Sequence, residues 1–190
     1  MQATDLFALT TDDSAVPDRY QLRLRRNDGS DALFWDPYCF PPQLRDDDLQ
    51  AWNRGEHTRA QQFLGAHPAC VDGVDGTLFA VWAPEAERVS VVGEFNRWDG
   101  RHHPLRVRGS SGVWEIFLPD VGAGAFYKFE IRHGASGALL LKSDPFARAG
   151  ELRLATASVV AAPTVHVWQD DAWMRERAEH KWLEAPMSVY

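Results

Sequence analysis

The sequence contains little cysteine. Its 190 residues include only Cys39 and Cys70, with thirty residues between them and no CxxC spacing. Two isolated cysteines support neither a disulfide framework nor a thiolate zinc site, and no other cofactor site is indicated. We therefore expect both to be buried thiols.

Positive charge is also scarce. There are 20 Lys and Arg residues against 27 Asp and Glu, which gives a formal net charge of −7. Binding a phosphate backbone needs clustered Lys and Arg that release counterions. The charge balance therefore argues against nucleic acid as a partner.

Long apolar runs are missing as well. No stretch approaches the roughly 18 apolar residues that a membrane helix needs. The first residues also lack the basic region and apolar stretch of a secretory leader. We therefore expect a cytoplasmic chain with no membrane contact.

Aromatic residues are plentiful, with eight Trp, ten Phe and four Tyr. Short apolar segments separated by Gly, Pro and Asp occupy the middle of the chain: "TLFAVWAP" (77–84), "RVSVVGEF" (88–95), "VWEIFLP" (113–119), "AFYKFEIRH" (125–133) and "ALLLKS" (138–143). The acidic link between the first two predicts a hairpin. Together they predict a mostly β fold, an antiparallel immunoglobulin-like β-sandwich over residues 70–162.

The alternation within these segments defines candidate core positions without fixing which face of every strand is inward. In 77–84, Leu78, Ala80 and Trp82 alternate with Phe79 and Val81. Strand residues two apart share a face, so both faces of this strand are apolar. The candidate core positions are Trp82, Val91, Trp114, Phe117, Phe129 and Ile131.

Two short helices are predicted in a linker over residues 43–69. In "DDDLQAWNRG" the run Asp46 to Asp48 suits the positive end of a helix, so it needs no metal ion, and Gly55 suits the helix end. In "HTRAQQFLG", Thr58 and Gln61 have capping-box spacing, and Gly65 would close the helix.

An internal repeat relates residues 5–40 to residues 112–147. Aligning the two segments places Phe7 on Trp114 and Tyr20 on Tyr127, both thirteen residues apart. With one inserted residue, Asp36-Pro37-Tyr38 then falls on Asp144-Pro145-Phe146. We interpret the shared interval and matching ends as repetition rather than a chance likeness of two hairpins.

The first copy of the repeat is incomplete, because the two strands that precede the second copy have no counterpart before residue 5. Residues 1–42 are therefore predicted to be a partial second β-sandwich, the later half only. Its strands "DLFAL", "RYQLRLRR" and "DALFW" would leave unpaired edges that must be covered elsewhere or remain loose.

Several stretches resemble the N-terminal region of bacterial glycogen branching enzymes and its carbohydrate-binding module of family 48. They are "LGAHP" (64–68), "FAVWAPEAERVSVVGEFNRWDGRHHPL" (79–105), "GVWEIFLPDVGAGAFYKFEI" (112–131) and "SDPFA" (143–147). The resemblance implies that residues 163–190 lead into a glycoside hydrolase family 13 barrel, with "MSVY" as its first strand. The catalytic carboxylates of that barrel would follow this sequence, so we assign no catalytic residue and expect the chain alone to be inactive.

The same resemblance implies a weak binding site for an α-glucan such as glycogen or a maltooligosaccharide. Trp98 matches the tryptophan that stacks on glucose, and Lys128 matches the lysine that bonds sugar hydroxyls. Asn96 is grouped with them through the Phe-Asn pair before the tryptophan. The position of a second aromatic platform is held by Leu141, which is why the expected affinity is low.

Two alternatives stay open at this stage. Trp98 would instead be a partly buried wedge at a contact with the barrel, and the whole chain would be a stand-alone glycogen-targeting or regulatory module that binds a protein. His102 and His103 are expected to be solvated turn residues rather than metal ligands. Trp168, Trp173 and Trp182 are expected on a helix and linker that lie on the barrel.

Overall fold

The computed structural model describes residues 10, 12, 16–163, 167–181, 184, 186 and 188. The helices are α1 (Asp46–Asn53) and α2 (Asp171–Glu179). The strands are β1 (Gln21–Arg25), β2 (Asp31–Trp35), β3 (Gly65–Val71), β4 (Val74–Trp82), β5 (Ala86–Gly93), β6 (Arg106–Val107), β7 (Val113–Pro119), β8 (Phe126–His133), β9 (Leu139–Lys142), β10 (Ala149–Gly150) and β11 (Ser158–Val159).

Two antiparallel sheets form the predicted sandwich. One has the order β3-β4-β7-β6, and the other has the order β10-β11-β8-β5, with β9 also paired to β8. Their inner faces meet in a core of aliphatic and aromatic side chains, among them Phe79, Val81, Val89, Val91, Ile116, Leu118, Tyr127 and Phe129. The predicted fold class is therefore confirmed.

The predicted hairpin between β4 and β5 is wrong, because these strands belong to opposite sheets. β4 pairs with β3 along one edge and with β7 along the other, so it has no edge left for β5. β5 pairs with β8 instead. The link at Pro84 forms a turn, in which the Ala86 N–H donates to the Ala83 carbonyl at 3.2 Å, and carries the chain between the sheets.

Not every candidate core position faces the second sheet. Val91 and Phe129 lie in the core between the sheets, and Trp114 and Ile131 pack against it. Phe117 points outward and packs with Phe40 on the opposite face of its sheet. Trp82 also points outward and is half exposed. The sheet containing β4 and β7 is thus apolar on both faces, because other segments cover its outer face.

The linker covers part of that outer face. Helix α1 has Asp46, Asp47 and Asp48 in its first turn, as predicted, and Gly55 follows with a φ of +70°. Leu49, Phe63 and Leu64 are buried in a cluster with Ala80 and Val113. The helix therefore packs its apolar side on the sandwich.

The predicted second helix is wrong. Only a short 3₁₀ turn at Ala60–Gln62 forms, with Arg59 at its N-cap position and no side-chain hydrogen bond to cap it. Gly65, with a φ of +109°, does not end a helix but begins β3. Pairing of β3 with β4 along seven residues outweighs the local helical preference, and the sheet starts five residues before the boundary expected at residue 70.

The N-terminal segment forms a two-stranded hairpin, in which Gln21 pairs with Trp35 and Arg25 with Asp31. Trp35 and Phe40 pack with Phe117 on the outer face of the sandwich. The predicted strand at residues 5–9 lies outside the described residues.

The internal repeat recurs in the structure as a shared hydrogen-bonding pattern. The Tyr20 hydroxyl donates to the Asp36 carboxylate, and the Tyr127 hydroxyl donates to Asp144 at 2.5 Å. The second carboxylate oxygen of each Asp accepts the backbone N–H of the following aromatic residue, at 2.9 Å in Tyr38 and 2.8 Å in Phe146. Both Asp-Pro-aromatic exits are therefore built in the same way.

The C-terminal segment contains α2, whose side chains are all exposed. Trp168 and Trp173 are more than half exposed, while Trp182 and most of "MSVY" lie outside the described residues. Within the parts of the chain placed by the structure, no helix is both long and apolar enough to cross a membrane.

Candidate functional site

The segment "GEFNRWDG" forms a tight turn at the end of β5. Gly93 is required there because a Cβ would collide with the Phe126 carbonyl oxygen and with the Phe95 ring. A short 3₁₀ turn, Glu94–Asn96, follows. Phe95 then packs against the sandwich core, which fixes the turn to the body of the molecule.

Asn96 holds this turn from within. Its Oδ1 accepts the Gly93 N–H at 2.9 Å, and its Nδ2 donates to the Val91 carbonyl at 2.9 Å. The side chain is buried. The structure therefore does not bring Asn96 to the surface with the other two predicted site residues.

His103 completes the polar interior of the turn and is not the solvated histidine expected from sequence. The Asn96 Nδ2 also lies 2.9 Å from His103 Nδ1, which must accept and therefore carries no proton. Burial, together with the neighbouring His102, lowers the pKa of His103 to about 4. His103 is thus neutral near pH 7, whereas His102 remains exposed.

Trp98 is presented outward by a strained backbone. Arg97 and Trp98 have φ values of +58° and +60°, in the left-handed region that bulky residues rarely occupy. The Trp98 N–H donates to the Gly93 carbonyl at 2.8 Å, and its side chain is 40% exposed. Such strain persists only where surrounding bonds impose it, and it is common at binding sites.

Asp99 and Arg101 brace the far side of the turn. The Asp99 carboxylate accepts the Arg101 backbone N–H at 2.9 Å and its guanidinium at 2.6 Å. These hydrogen bonds hold the pKa of Asp99 well below its usual range. Asp99 therefore stays ionised and unsuited to act as a general acid.

Lys128 lies on the outer face of β8. Its neighbours Tyr127 and Phe129 point into the core, and its cross-strand partner on β5 is Val92, one residue before Gly93. The Lys128 Nζ donates to Thr156 Oγ1 at 2.7 Å. No sequence pattern predicted Thr156 as a partner, because it lies in an irregular loop 28 residues away.

The tryptophan turn lies over this same face of the sheet. Gly100 sits so close to the Glu130 carboxylate that a Cβ there would collide with it. Glu130 is two residues beyond Lys128 and forms an ion pair with Arg88 at 2.6 Å. The turn and Lys128 therefore belong to one surface.

Leu141 occupies that surface as well. It pairs with Glu130 across β8 and β9 and is 55% exposed. The surface has the indole of Trp98, the ammonium of Lys128 and an aliphatic residue at the third position. A ring for stacking and a hydrogen-bond donor suit a neutral, hydroxyl-rich ligand.

Groups suited to metal binding or covalent chemistry do not gather at this surface. Across the described residues, no group of three or more His, Cys, Asp and Glu side chains could hold a metal ion. Cys70 is exposed rather than buried as predicted, and Cys39 is partly buried. Cys70 lies at the exposed penultimate position of β3.

Part of the sandwich is similar to a known protein family. Residues 63–147 match the family model described as carbohydrate-binding module 48 (isoamylase N-terminal domain). The match runs from the residues before β3 to the exit after the Asp144-Pro145 pair, and it includes Trp98, Lys128 and Leu141.

The whole chain is similar to 1,4-alpha-glucan branching enzymes GlgB. It is 50% identical over 188 residues to that of Nitrosococcus oceani, covering 99% of this chain and 25% of the relative. With that of Cellvibrio japonicus it is 47% identical over 190 residues, covering 100% of this chain and 26% of the relative. The chain thus spans about a quarter of the length of these relatives.

Among solved structures, the ligand-free PulA of Klebsiella pneumoniae is similar to part of this chain. The superposition has a TM-score of 0.43 with 24% sequence identity, and it covers 52% of this chain and 9% of PulA.

Proposed function

We propose that this chain, which corresponds to the N-terminal part of GlgB branching enzymes and carries their family 48 module, positions an α-glucan in glycogen synthesis. The whole branching enzyme to which this chain would belong cuts an α-1,4-glucan and transfers the cut chain to form an α-1,6 branch. The chain contributes a binding surface and supports the catalytic barrel.

The observation that carries this proposal is the presentation of Trp98. The strained turn holds its indole 40% exposed, although an apolar residue of this size is usually buried. Phe95 and Asn96 supply the bonds and contacts that maintain the turn. Asn96 therefore acts as a positioning residue rather than as a direct sugar ligand.

The remaining groups define the mode and strength of binding. The apolar face of a glucose ring would stack on Trp98, and Lys128 would donate to sugar hydroxyls while retaining Thr156 as a second partner. Leu141 offers contact area but no ring. With a single platform, the affinity is expected to be weak.

Support of the barrel is assigned to the C-terminal segment. Trp173 and Met174 are about half exposed on α2, which packs little of its surface on the sandwich. Apolar side chains of this kind are typical of a surface that another domain covers.

The experiment is a maltoheptaose titration followed through the indole N–H signals of the tryptophans by nuclear magnetic resonance. The Trp98 signal is identified by its loss in Trp98→Ala. We expect this signal to shift with ligand, and Lys128→Ala to weaken the midpoint by about tenfold because a charged hydrogen bond is lost. Leu141→Trp should strengthen it by restoring a second platform.

The matched control is Lys142→Ala, which removes a lysine from the neighbouring strand β9 and should leave the midpoint unchanged. A Trp98 signal that stays fixed at high millimolar maltoheptaose would reject the sugar role. The alternative, in which Trp98 packs on the barrel, would then account for its exposure.

A further inference from the structure

An aromatic cleft lies at the end of the sandwich opposite to the Trp98 turn. It has a volume of about 560 Å³ and opens between the end of α1, the link from β4 to β5, and the turn before β7. Trp52, Trp82 and Trp114 line it. Ala86 at the start of β5 borders the cleft, whereas the Trp98 turn follows Gly93 at the end of β5. At about 3.3 Å per residue, the strand separates the two places by roughly 23 Å.

The three indoles are held by neighbouring elements. Trp82 is the last residue of β4 and is 50% exposed, and its ring lies 5.9 Å from Trp52 at 75°. Trp114 Nε1 donates to the Ala83 carbonyl at 3.0 Å. Gly112 allows the turn to approach, since a Cβ there would lie 2.8 Å from Pro84 and 3.0 Å from Trp82 Nε1. The cleft is therefore preformed.

Among the described residues that line the cleft, the one ionisable side chain is His57, whose Nε2 lies 3.4 Å from Asp48 Oδ1. The lining of the cleft, as far as the structure describes it, includes no Asp, Glu, Lys or Arg. Asn53 and Ser110 line it with an amide and a hydroxyl, and Trp82 adds an indole N–H. Within the described residues these three groups form no hydrogen bond, so they are available to a ligand.

This chemistry favours an uncharged ligand with apolar faces and many hydroxyl groups. An anion or a phosphorylated compound would find no Lys or Arg side chain, and a metal ion would find no carboxylate. The volume is within the usual range of ligand pockets, about 300–1,000 Å³. A carbohydrate meets these conditions, since indoles stack on its rings and small polar groups bond its hydroxyls.

We infer that this cleft is a second carbohydrate site that binds an α-1,4-glucan independently of Trp98. The choice of α-glucan as the carbohydrate rests on the function proposed above. The cleft itself does not depend on Trp98, because the two places share no lining residue and lie at opposite ends of β5.

The test uses the full 190-residue chain and maltoheptaose, with the Trp82 indole N–H signal identified by its loss in Trp82→Ala. We expect this signal to shift in the wild type and to shift with the same midpoint in Trp98→Ala. In the Trp98→Ala background, adding Trp82→Ala should weaken the remaining affinity, measured by titration calorimetry, by at least about fivefold.

Two further variants test whether the ligand that shifts the Trp82 signal is bound in the cleft. Ser110→Arg places a bulky charged side chain at an exposed turn position, so it should block the Trp82 shift without affecting folding. Trp173→Ala is the matched control, because Trp173 is 55% exposed and lies outside the cleft. This variant should leave the Trp82 shift and its midpoint unchanged. Melting temperatures of all variants verify that they fold.

The outcomes separate this inference from the proposed function. A Trp82 shift that survives Trp98→Ala and is lost in Ser110→Arg supports the cleft, even if Trp98 itself contributes nothing. A Trp82 signal that never moves, or that stops moving when Trp98 is replaced, overturns the cleft and leaves the Trp98 surface to be judged by its own titration.

Discussion

The exposure of Trp98 depends on residues that are themselves buried or partly buried. Inside the turn, the Asn96 side chain accepts the Gly93 N–H and donates to the Val91 carbonyl. His103 accepts a further hydrogen bond from the same amide. This network works only with a neutral His103, since a proton on Nδ1 would face the Asn96 amide donor. The protonation of one histidine therefore bears on the turn that carries Trp98.

Stability should for this reason depend on pH through His103. Its pKa is lowered from 6.5 to about 4 in the folded chain, so the unfolded state binds more protons between these values. Stability from this group is full above pH 6.5 and is lost as the pH falls towards 4. We expect melting temperature to fall over this window by roughly 2–4 °C more in the wild type than in His103→Gln.

The measurement is a series of thermal melts of both proteins from pH 7 to pH 4. The variant serves as the control for all other titrating groups. Parallel curves for the two proteins would contradict the assigned role of His103.

At the scale of elements, the two Tyr-Asp pairs of the internal repeat form the same hydrogen bonds but differ in burial. Tyr127 and Asp144 are both buried, and burial raises the pKa of each group. Tyr20 and Asp36 are partly exposed, and the hydrogen bond with Asp36 raises the pKa of Tyr20 to about 12. The same bond should therefore contribute differently to stability in the two places.

Removing the hydroxyl should cost more in the second copy. Tyr127→Phe leaves a buried carboxyl oxygen of Asp144 without its donor, which we expect to lower the free energy of unfolding by about 1–3 kcal/mol. Tyr20→Phe exposes Asp36 to water as a replacement partner and should cost about 0.5–1 kcal/mol. Urea denaturation of the two variants gives the comparison, and equal losses would contradict it.

At the scale of the whole molecule, a buried acid joins the linker to the sandwich. Glu115 points to the outer face of β7 and is almost fully buried. Its Oε2 accepts the backbone N–H groups of Gln43 and Leu44 at 2.9 and 3.1 Å, and Arg108 pairs with its other oxygen. Arg108 also donates to the Leu44 carbonyl at 2.9 Å. The chain is thereby fastened to the sandwich from Gln43 onward.

The N-terminal hairpin has weaker attachment. β1 and β2 pair with each other alone among the described strands, and their side chains are mostly exposed. Arg19 donates to the Asp72 carbonyl, and Trp35 and Phe40 pack on the sandwich. Between these contacts, the turn at residues 27–30 is exposed.

Limited proteolysis should therefore cut the hairpin before the sandwich. Within residues 16–163, we expect the earliest cleavages between residues 22 and 33, while residues 65–160 stay intact, because the hairpin has unpaired edges and little burial. Mass spectrometry of the fragments locates the cuts. Equal protection of the hairpin and the sandwich would show that the hairpin is as stable as the core.

The sequence by itself determined the features that depend on local pattern. Alternating apolar residues placed β4, β7, β8 and β9, and acids and glycine placed α1. The thirteen-residue interval from Phe7 to Tyr20, with the Asp36-Pro37-Tyr38 exit, revealed the repeat. These signals are local because side chains alternate along a strand and helix ends need caps.

Only the tertiary structure decided which edges pair and which polar groups are buried. β4 was expected to pair with β5, but its two edges are taken by β3 and β7, and a strand has only two edges. Thr58 had the spacing of a helix cap, yet sheet formation at Gly65 shortened the helix to a 3₁₀ turn. Glu115 gained its partners from Gln43 and Leu44, 72 and 71 residues away in sequence, which no local pattern encodes. Asn96 and His103 bond each other across seven residues, but their burial depends on how the whole turn packs on the sandwich.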